Sequence, residues 1–306
     1  MTVSPATSSE RRLLLVHAHP DDESIGTGAT MAKYVAEGAH VCLVSCTLGE
    51  EGEILLPDVS HLAADADDAL GDHRKEELAA AMAVLGVTDH RRLGGDGRFR
   101  DSGMVGTPAN DRDDNFWRAD LLVAATFLVE IIRELRPQVM ITYDDFGGYG
   151  HPDHIQAHRV ATSAAALAAA PSFRPELGEA WAIEKVYWPG FPRSVLAAGI
   201  RAMKESGVGG MFAEMDPDEA PFAVDDEWIT TEIDATEYLD AKLDALRAHA
   251  SQIDVEGPFF ALSNNLGSRA MGVEYYRLAA GTSGAAPGER EQDLFAGTSA
   301  SPEVAG

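Results

Sequence analysis

One pattern, occurring twice, constrains this chain more than any other. A short apolar run is followed within a few residues by a cluster of imidazoles and carboxylates. Leu13 to Val16 leads into His17-Ala-His19-Pro20-Asp21-Asp22-Glu23, and Val139 to Tyr143 leads into Gly147-Gly-Tyr149-Gly150-His151-Pro152-Asp153-His154. A continuous apolar run of this length is expected of a strand buried on both faces. If the two runs are neighbouring parallel strands, both clusters emerge at one edge of one sheet. Open α/β sheets bind ligands outside that carboxyl edge. Histidine and carboxylate without a thiol form the ligand set of a catalytic zinc, which keeps one position for water. The pattern therefore predicts a metal-dependent hydrolase on an α/β fold, a Rossmann-like open sheet that is mostly parallel, with a smaller C-terminal α+β part.

Periodicity fills in the elements. A helix is expected from about Thr27 to Glu37, stopped by Gly38, and a second parallel strand over Val41 to Thr47. Further helices are expected over Asp72–Leu85, Leu121–Leu135, His154–Ala168 and Thr236–His249. Arg92 to Gly95 reads as a short strand and turn, and Lys185 to Trp188 as one more strand. Residues 98–114 form a long polar loop of the kind that tends to be functional. The expected organisation is a loose tail over 1–10, one domain over 11–280 with an insertion or subdomain near 190–227, and a mostly flexible tail over 281–306. Leu294-Phe295 is the one possible anchor in that last segment.

Composition narrows the partners. The 306 residues carry 50 acidic and 24 basic side chains, a formal charge of −26. Such a surface repels phosphate backbones and anionic lipid, so neither nucleic acid nor membrane is an expected partner. No window of 18 apolar residues and no signal peptide is evident, which predicts a cytoplasmic protein. Cys42 and Cys46 lie four apart in one expected strand, roughly 13 Å by strand rise. They are expected to be buried thiols rather than a disulfide.

The clusters divide the chemistry. His17 and His19 point the same way on an extended chain, and one of them suffices as a ligand. Asp21 and Asp22 point apart, so one can bind metal while its neighbour takes a proton from water. His151 and His154 share a face at a helix start, and Pro152 suits the first helical turn. Asp153 can orient an imidazole, and the glycines around Tyr149 allow its hydroxyl close to a ligand. His158 is expected to be structural.

These motifs resemble the LmbE-like or PIG-L family of zinc-dependent N-acetylglucosaminide deacetylases. Further segments are similar to the branch of that family in mycothiol biosynthesis: Cys46 to Glu53, Gly94 to Gly103, Ile132 to Pro137, Ala248-His-Ala-Ser-Gln252 and Leu262-Ser-Asn-Asn-Leu266. The resemblance implies one Zn2+ per chain, with Fe2+ as an alternative, held by His19, Asp22 and His154. It implies that Asp21 is the general base and that His151 is the charged partner of the intermediate, tuned by Asp153. Tyr149 would donate to the oxyanion, and Arg74 and Asp101 would hold substrate hydroxyls. The implied substrate is a small sugar-inositol, N-acetylglucosaminyl-inositol, from which acetate is removed. A mycothiol S-conjugate amidase is the near alternative. A nucleotide-binding Rossmann module is disfavoured, because no Gly-x-Gly-x-x-Gly follows the first strand. A closed structural zinc site is disfavoured by the absence of thiolates. Oligomeric state is left open.

Overall fold

The computed structural model describes residues 11–205, 214–254 and 269–300. The expected tails at 1–10 and 301–306, and the Leu262 to Leu266 motif, lie outside the described residues. Strand β1 (Arg12–His17) is followed by α1 (Asp22–Ala36), β2 (His40–Ser45), α2 (Leu70–Leu85) and β3 (Asp89–Arg92). Then come α3 (Leu121–Leu135), β4 (Val139–Ile141), α4 (Pro152–Ala168) and β5 (Lys185–Pro189). Strands β6 (Phe191–Pro192) and β7 (Ala223–Val224) flank α5 (Arg193–Glu205). The remainder is β8 (Thr231–Asp234), α6 (Leu239–Ala248) and β9 (Val273–Ala280).

Seven strands form one sheet in the order β3-β2-β1-β4-β5-β9-β8, parallel from β3 to β5, with β9 antiparallel to both of its neighbours. The first two strands alternate between two cores. Leu13, Leu15, Val41 and Leu43 face α1, α2 and α6, while Leu14, Val16, Cys42 and Val44 face α3 and α4. A side-chain period of two between two helical layers makes these strands continuously apolar. Both cysteines are free and buried.

The chain runs outward from β1 to β3 and returns to place β4 on the other side of β1. The gap between β1 and β4 is therefore the point where the strand order reverses, and the chain leaves both strands there side by side. The register pairs Leu13 with Val139 and Leu15 with Ile141.

Several boundaries differ from the sequence expectations. Helix α1 starts at Asp22 rather than Thr27, because Asp22 and Glu23 suit the positive end of a helix. Strand β3 covers Asp89–Arg92 rather than Arg92 to Gly95. As the sheet's edge it is only half buried and needs no apolar run. Residues 281–300 do not form the expected loose segment. Leu294 and Phe295 are fully buried against the α1 side of the sheet, and Glu291 sits beside Lys185. The described part of 190–227 has a small core of its own, containing Leu196, Ile200, Ala220 and Ala223.

Candidate active site

His17 ends β1 and is consumed by packing. Its ring nitrogens lie 3.2 Å from Tyr143 Oη and 3.2 Å from Thr27 Oγ1. Two residues on, His19 enters the gap between the strands. Asp21 then takes φ 121°, outside the range that a non-glycine residue normally adopts. Its backbone carbonyl starts α1 by accepting from the amides of Ser24 and Ile25. Arg74, buried on α2, donates to Gly49 O at 2.8 Å, to Pro20 O, and to Asp21 Oδ2 at 2.7 Å. Asp22 Oδ2 accepts from the His19 amide at 2.9 Å and from Tyr143 Oη at 2.7 Å. The same carboxylate lies 3.3 Å from His19 Nδ1 and 3.3 Å from His154 Nε2.

The second cluster is set by the start of α4. His151 is the N-cap, and its Nδ1 accepts from the Asp153 amide at 3.1 Å. His154 Nδ1 lies 3.1 Å from Gly147 O, so this nitrogen carries the proton and Nε2 presents a lone pair. Gly147 has φ 68°, and a Cβ there would come within 2.6 Å of His154 Cβ. The glycine thus permits the close turn that fixes the imidazole.

These donors fit a divalent ion. His154 Nε2 is buried without a hydrogen-bond partner, although it sits beside a carboxylate. An imidazole oriented from behind by a carbonyl and unpartnered in front is how metal-binding histidines are prepared. One ligand atom each from His19, His151 and His154 lies within 4.8 Å of the others, and so it does for His19, Asp101 and Asp153. Asp22, expected with His19 and His154, bridges those two rings.

One expectation needs correction. Asp153 does not turn its carboxylate to His151. It meets His19 Nε2 at 3.2 Å and accepts from the Ser102 amide and hydroxyl, because α4 directs the side chain under His19. Asp101, expected to hold substrate hydroxyls, is buried beside His19. It accepts from the Gly103 and Glu51 amides, with Oδ1 3.4 Å from His19 Nε2. Arg74, expected to hold substrate hydroxyls, donates from its terminal nitrogens to Asp21 and two carbonyls. Tyr149 is 44% exposed, its ring 5.0 Å from that of His154. No pattern in the chain marks Tyr143 as the hydrogen-bond donor to Asp22, or Ser102 as the donor to Asp153. Both act through partners more than fifty residues away.

The electrostatics are uneven. Burial lifts the Asp21 carboxyl to about 6 despite Arg74. Asp22 is also buried, yet His154 and His19 hold it well below the usual range. Burial opposes charge on His19, but Asp101, Asp153 and Asp22 together raise its pKa well above the ordinary value. Burial, followed by His19 and His154, lowers His151 to about 3. Adjacent carboxylates driven in opposite directions are a mark of acid–base division. A cavity of about 530 Å³ opens beside Asp22, Tyr149 and His154, with an apolar wall that includes Ile25, Phe191, Val195 and Phe222.

A Rossmann-like sheet with an imidazole–carboxylate centre at its switch point defines a class that sequence comparison makes specific. The chain belongs to the PIG-L family, described as GlcNAc-PI de-N-acetylase, which it matches over residues 14–165. It is 59% identical over 299 residues to the 1D-myo-inositol 2-acetamido-2-deoxy-alpha-D-glucopyranoside deacetylase of Kribbella flavida, covering 94% of this chain and 98% of that one. The protein of the same name from Nocardioides sp. is 60% identical over 298 residues, covering 94% and 99%. Among solved structures, N,N'-diacetylchitobiose deacetylase from Pyrococcus horikoshii shares the fold with a TM-score of 0.59 at 20% identity, covering 88% of this chain and 83% of that one.

Proposed function

We propose that this chain is a metal-dependent amidohydrolase that removes acetate from 1D-myo-inositol 2-acetamido-2-deoxy-alpha-D-glucopyranoside. Zn2+ is the proposed ion, and the same two-imidazole, one-carboxylate set also accepts Fe2+. The observation that carries the reading is the unpartnered, buried Nε2 of His154 beside Asp22, with a second carboxylate, Asp21, next to it and lifted to about 6. The substrate follows from the relatives of that name at about 60% identity, which span nearly the whole chain. A neutral polyol also suits a protein of charge −26. Among the described residues no helix is long and apolar enough to cross a membrane. A cytoplasmic location is proposed with this reading.

His19, Asp22 and His154 would hold the ion. When bound, it supplies Lewis acidity toward the amide carbonyl and toward water. Asp21 takes the proton of the attacking water, and a carboxyl near 6 is well matched to that task close to neutral pH. Tyr149, at the rim, donates a hydrogen bond where negative charge develops on the carbonyl oxygen. His151 is neutral at pH 7 in the free protein. Charge building on the substrate opposes the effect of the two neighbouring imidazoles and favours the imidazolium. His151 takes up a proton from solvent as that charge builds and delivers it to the leaving nitrogen, since an amide anion is a poor leaving group, and Asp21 returns the proton it took from water to solvent. Ser102 and Asp153 hold His19 in place from behind.

The test is amine release from the acetylated sugar-inositol by protein loaded with Zn2+ or Fe2+, run beside a chelated sample. Turnover that chelation abolishes and added ion restores is expected. Undiminished turnover after chelation would overturn the metal assignment. Faster release from a mycothiol S-conjugate would move the substrate while leaving the site intact.

A further inference from the structure

The Ala248-His-Ala-Ser-Gln252 segment plays no part in the chemistry above, yet it is built into the underside of the site. His249 follows α6 and is fully buried. Its Nε2 lies 2.9 Å from Glu23 Oε1, and neither side chain has any exposure. The other oxygen of Glu23 accepts from the backbone amide of Asp21 at 2.9 Å. Two residues on, Ser251 donates from its amide and its hydroxyl to Glu77 of α2, at 2.7 Å each. The Ser251 carbonyl accepts from the Leu55 amide. The segment thus clasps α1, α2 and the loop after β2 from beneath.

We propose that His249, acting through Glu23, is a positioning device for Asp21. The inference rests on the reading of Asp21 as general base. Asp21 sits at φ 121°, a conformation that persists only where the surroundings over-determine it. The structure shows three holds. Arg74 fixes the preceding carbonyl and the carboxylate, the first turn of α1 fixes the Asp21 carbonyl, and Glu23 fixes the amide. Glu23 is itself a buried carboxylate next to Asp22 and Asp21. Without the His249 proton it would lie uncompensated among like charges, which is strongly unfavourable. It would relax, and the Asp21 amide would lose its acceptor. An ordinary helix cap needs a carboxylate or hydroxyl at the first turn. It does not need a buried histidine brought from the far end of the chain.

The experiment compares His249→Phe, which removes the donor, with His249→Gln, which keeps an N–H for Glu23. Each is made in the natural chain and in an Asp21→Ala chain, all loaded with Zn2+ and assayed on N-acetylglucosaminyl-inositol. A displacement of the base by about 1 Å can lower the rate about 100-fold. The expected result for His249→Phe is a kcat loss of about 10- to 100-fold, with KM and bound metal per chain unchanged. His249→Gln recovers most of that rate. In the Asp21→Ala chain, His249→Phe makes no further difference, because residues acting as one unit are not additive. An equal further loss in that background, a loss carried by KM or metal content, or an undiminished His249→Phe would each overturn the proposal. If His249→Phe does not fold, the isosteric Glu23→Gln takes its place with the same expectations. Full activity of Asp21→Ala alone would instead overturn the reading of Asp21.

Discussion

Two of the ionic clusters buried among the described residues are built on opposite principles. At the start of β5, Lys185 donates to Glu291, to Tyr187 Oη and to the Ala296 carbonyl. The carboxylate of Glu291 also receives Tyr187 Oη, Thr231 Oγ1 and the Gly284 amide. Every polar atom there has a partner, one cation faces one anion, and no backbone is strained. Beyond the ends of β1 and β4, three carboxylates crowd His19. One imidazole nitrogen has no partner, and one aspartate sits at positive φ. Saturation serves stability. An imbalance left in place in a folded core points to a charge the protein has prepared to receive. The C-terminal cluster is a rivet, and the site is a socket.

The sharpest way to break this contrast is to remove the base from the socket. Asp21→Ala is expected to lower kcat by about 10²- to 10⁴-fold, the range ascribed to a positioned acid–base group. It should leave the melting temperature unchanged or higher, because a buried carboxylate crowded by Asp22 is removed while the backbone strain at φ 121° stays the same. Steady-state assay and thermal unfolding of the same preparation check both halves. A large drop in melting temperature would mean that Asp21 supports the fold.

The rivet should respond in the opposite sense. Lys185→Met leaves Glu291 buried without its cation, and breaking such a pair destabilises by about 3–5 kcal/mol. Urea unfolding should show that loss, while kcat per folded molecule stays at the parent value below the transition. A fall in kcat as large as the fall in stability would show that the two clusters are mechanically one.

Legibility in the sequence followed the same division. β1, β2 and β4 were readable because strands buried on both faces are continuously apolar, and the polar clusters behind them stood out by contrast. β3 was shifted because an edge strand of Asp-His-Arg-Arg has no apolar pattern to betray it. The start of α1 was missed because His-Pro-Asp-Asp-Glu has the composition of a turn. Only the folded chain shows that its last two acids belong to a first helical turn. Candidate donors were legible by residue type, but their partners were not. Whether Asp153 faces His151 or His19 depends on the azimuth of α4, and whether Arg74 faces solvent or Asp21 depends on how α2 packs. The rivet was invisible for a simpler reason. Leu294-Phe295 stood out as an anchor, but nothing in the Gly-, Ala- and Ser-rich sequence around Glu291 tied it to Lys185.

The smallest effect separates the clusters by the sign of their pH dependence in the metal-free protein. Burial opposes ionisation of Glu291, but Lys185, Tyr187 and the Gly284 amide prevail and lower its pKa below the ordinary glutamate value of 4.5. The unfolded chain therefore binds the proton more readily. The stability Glu291 contributes is present above about pH 4.5 and is lost as pH falls through its folded pKa. Asp21 is displaced the other way, from 3.8 to about 6. Between those values the folded protein holds the extra proton, so the contribution of Asp21 declines as pH rises from about 4 to 6 and is level above that. Urea unfolding of chelated protein from pH 3 to 7 resolves the two. Glu291→Gln should flatten the acid side of the curve. Asp21→Asn should remove the decline between pH 4 and 6, a difference of about 3 kcal/mol for a displacement of roughly two pKa units. Slopes of the same sign for the two variants would mean that both clusters are saturated alike, and the socket would lose its electrostatic signature.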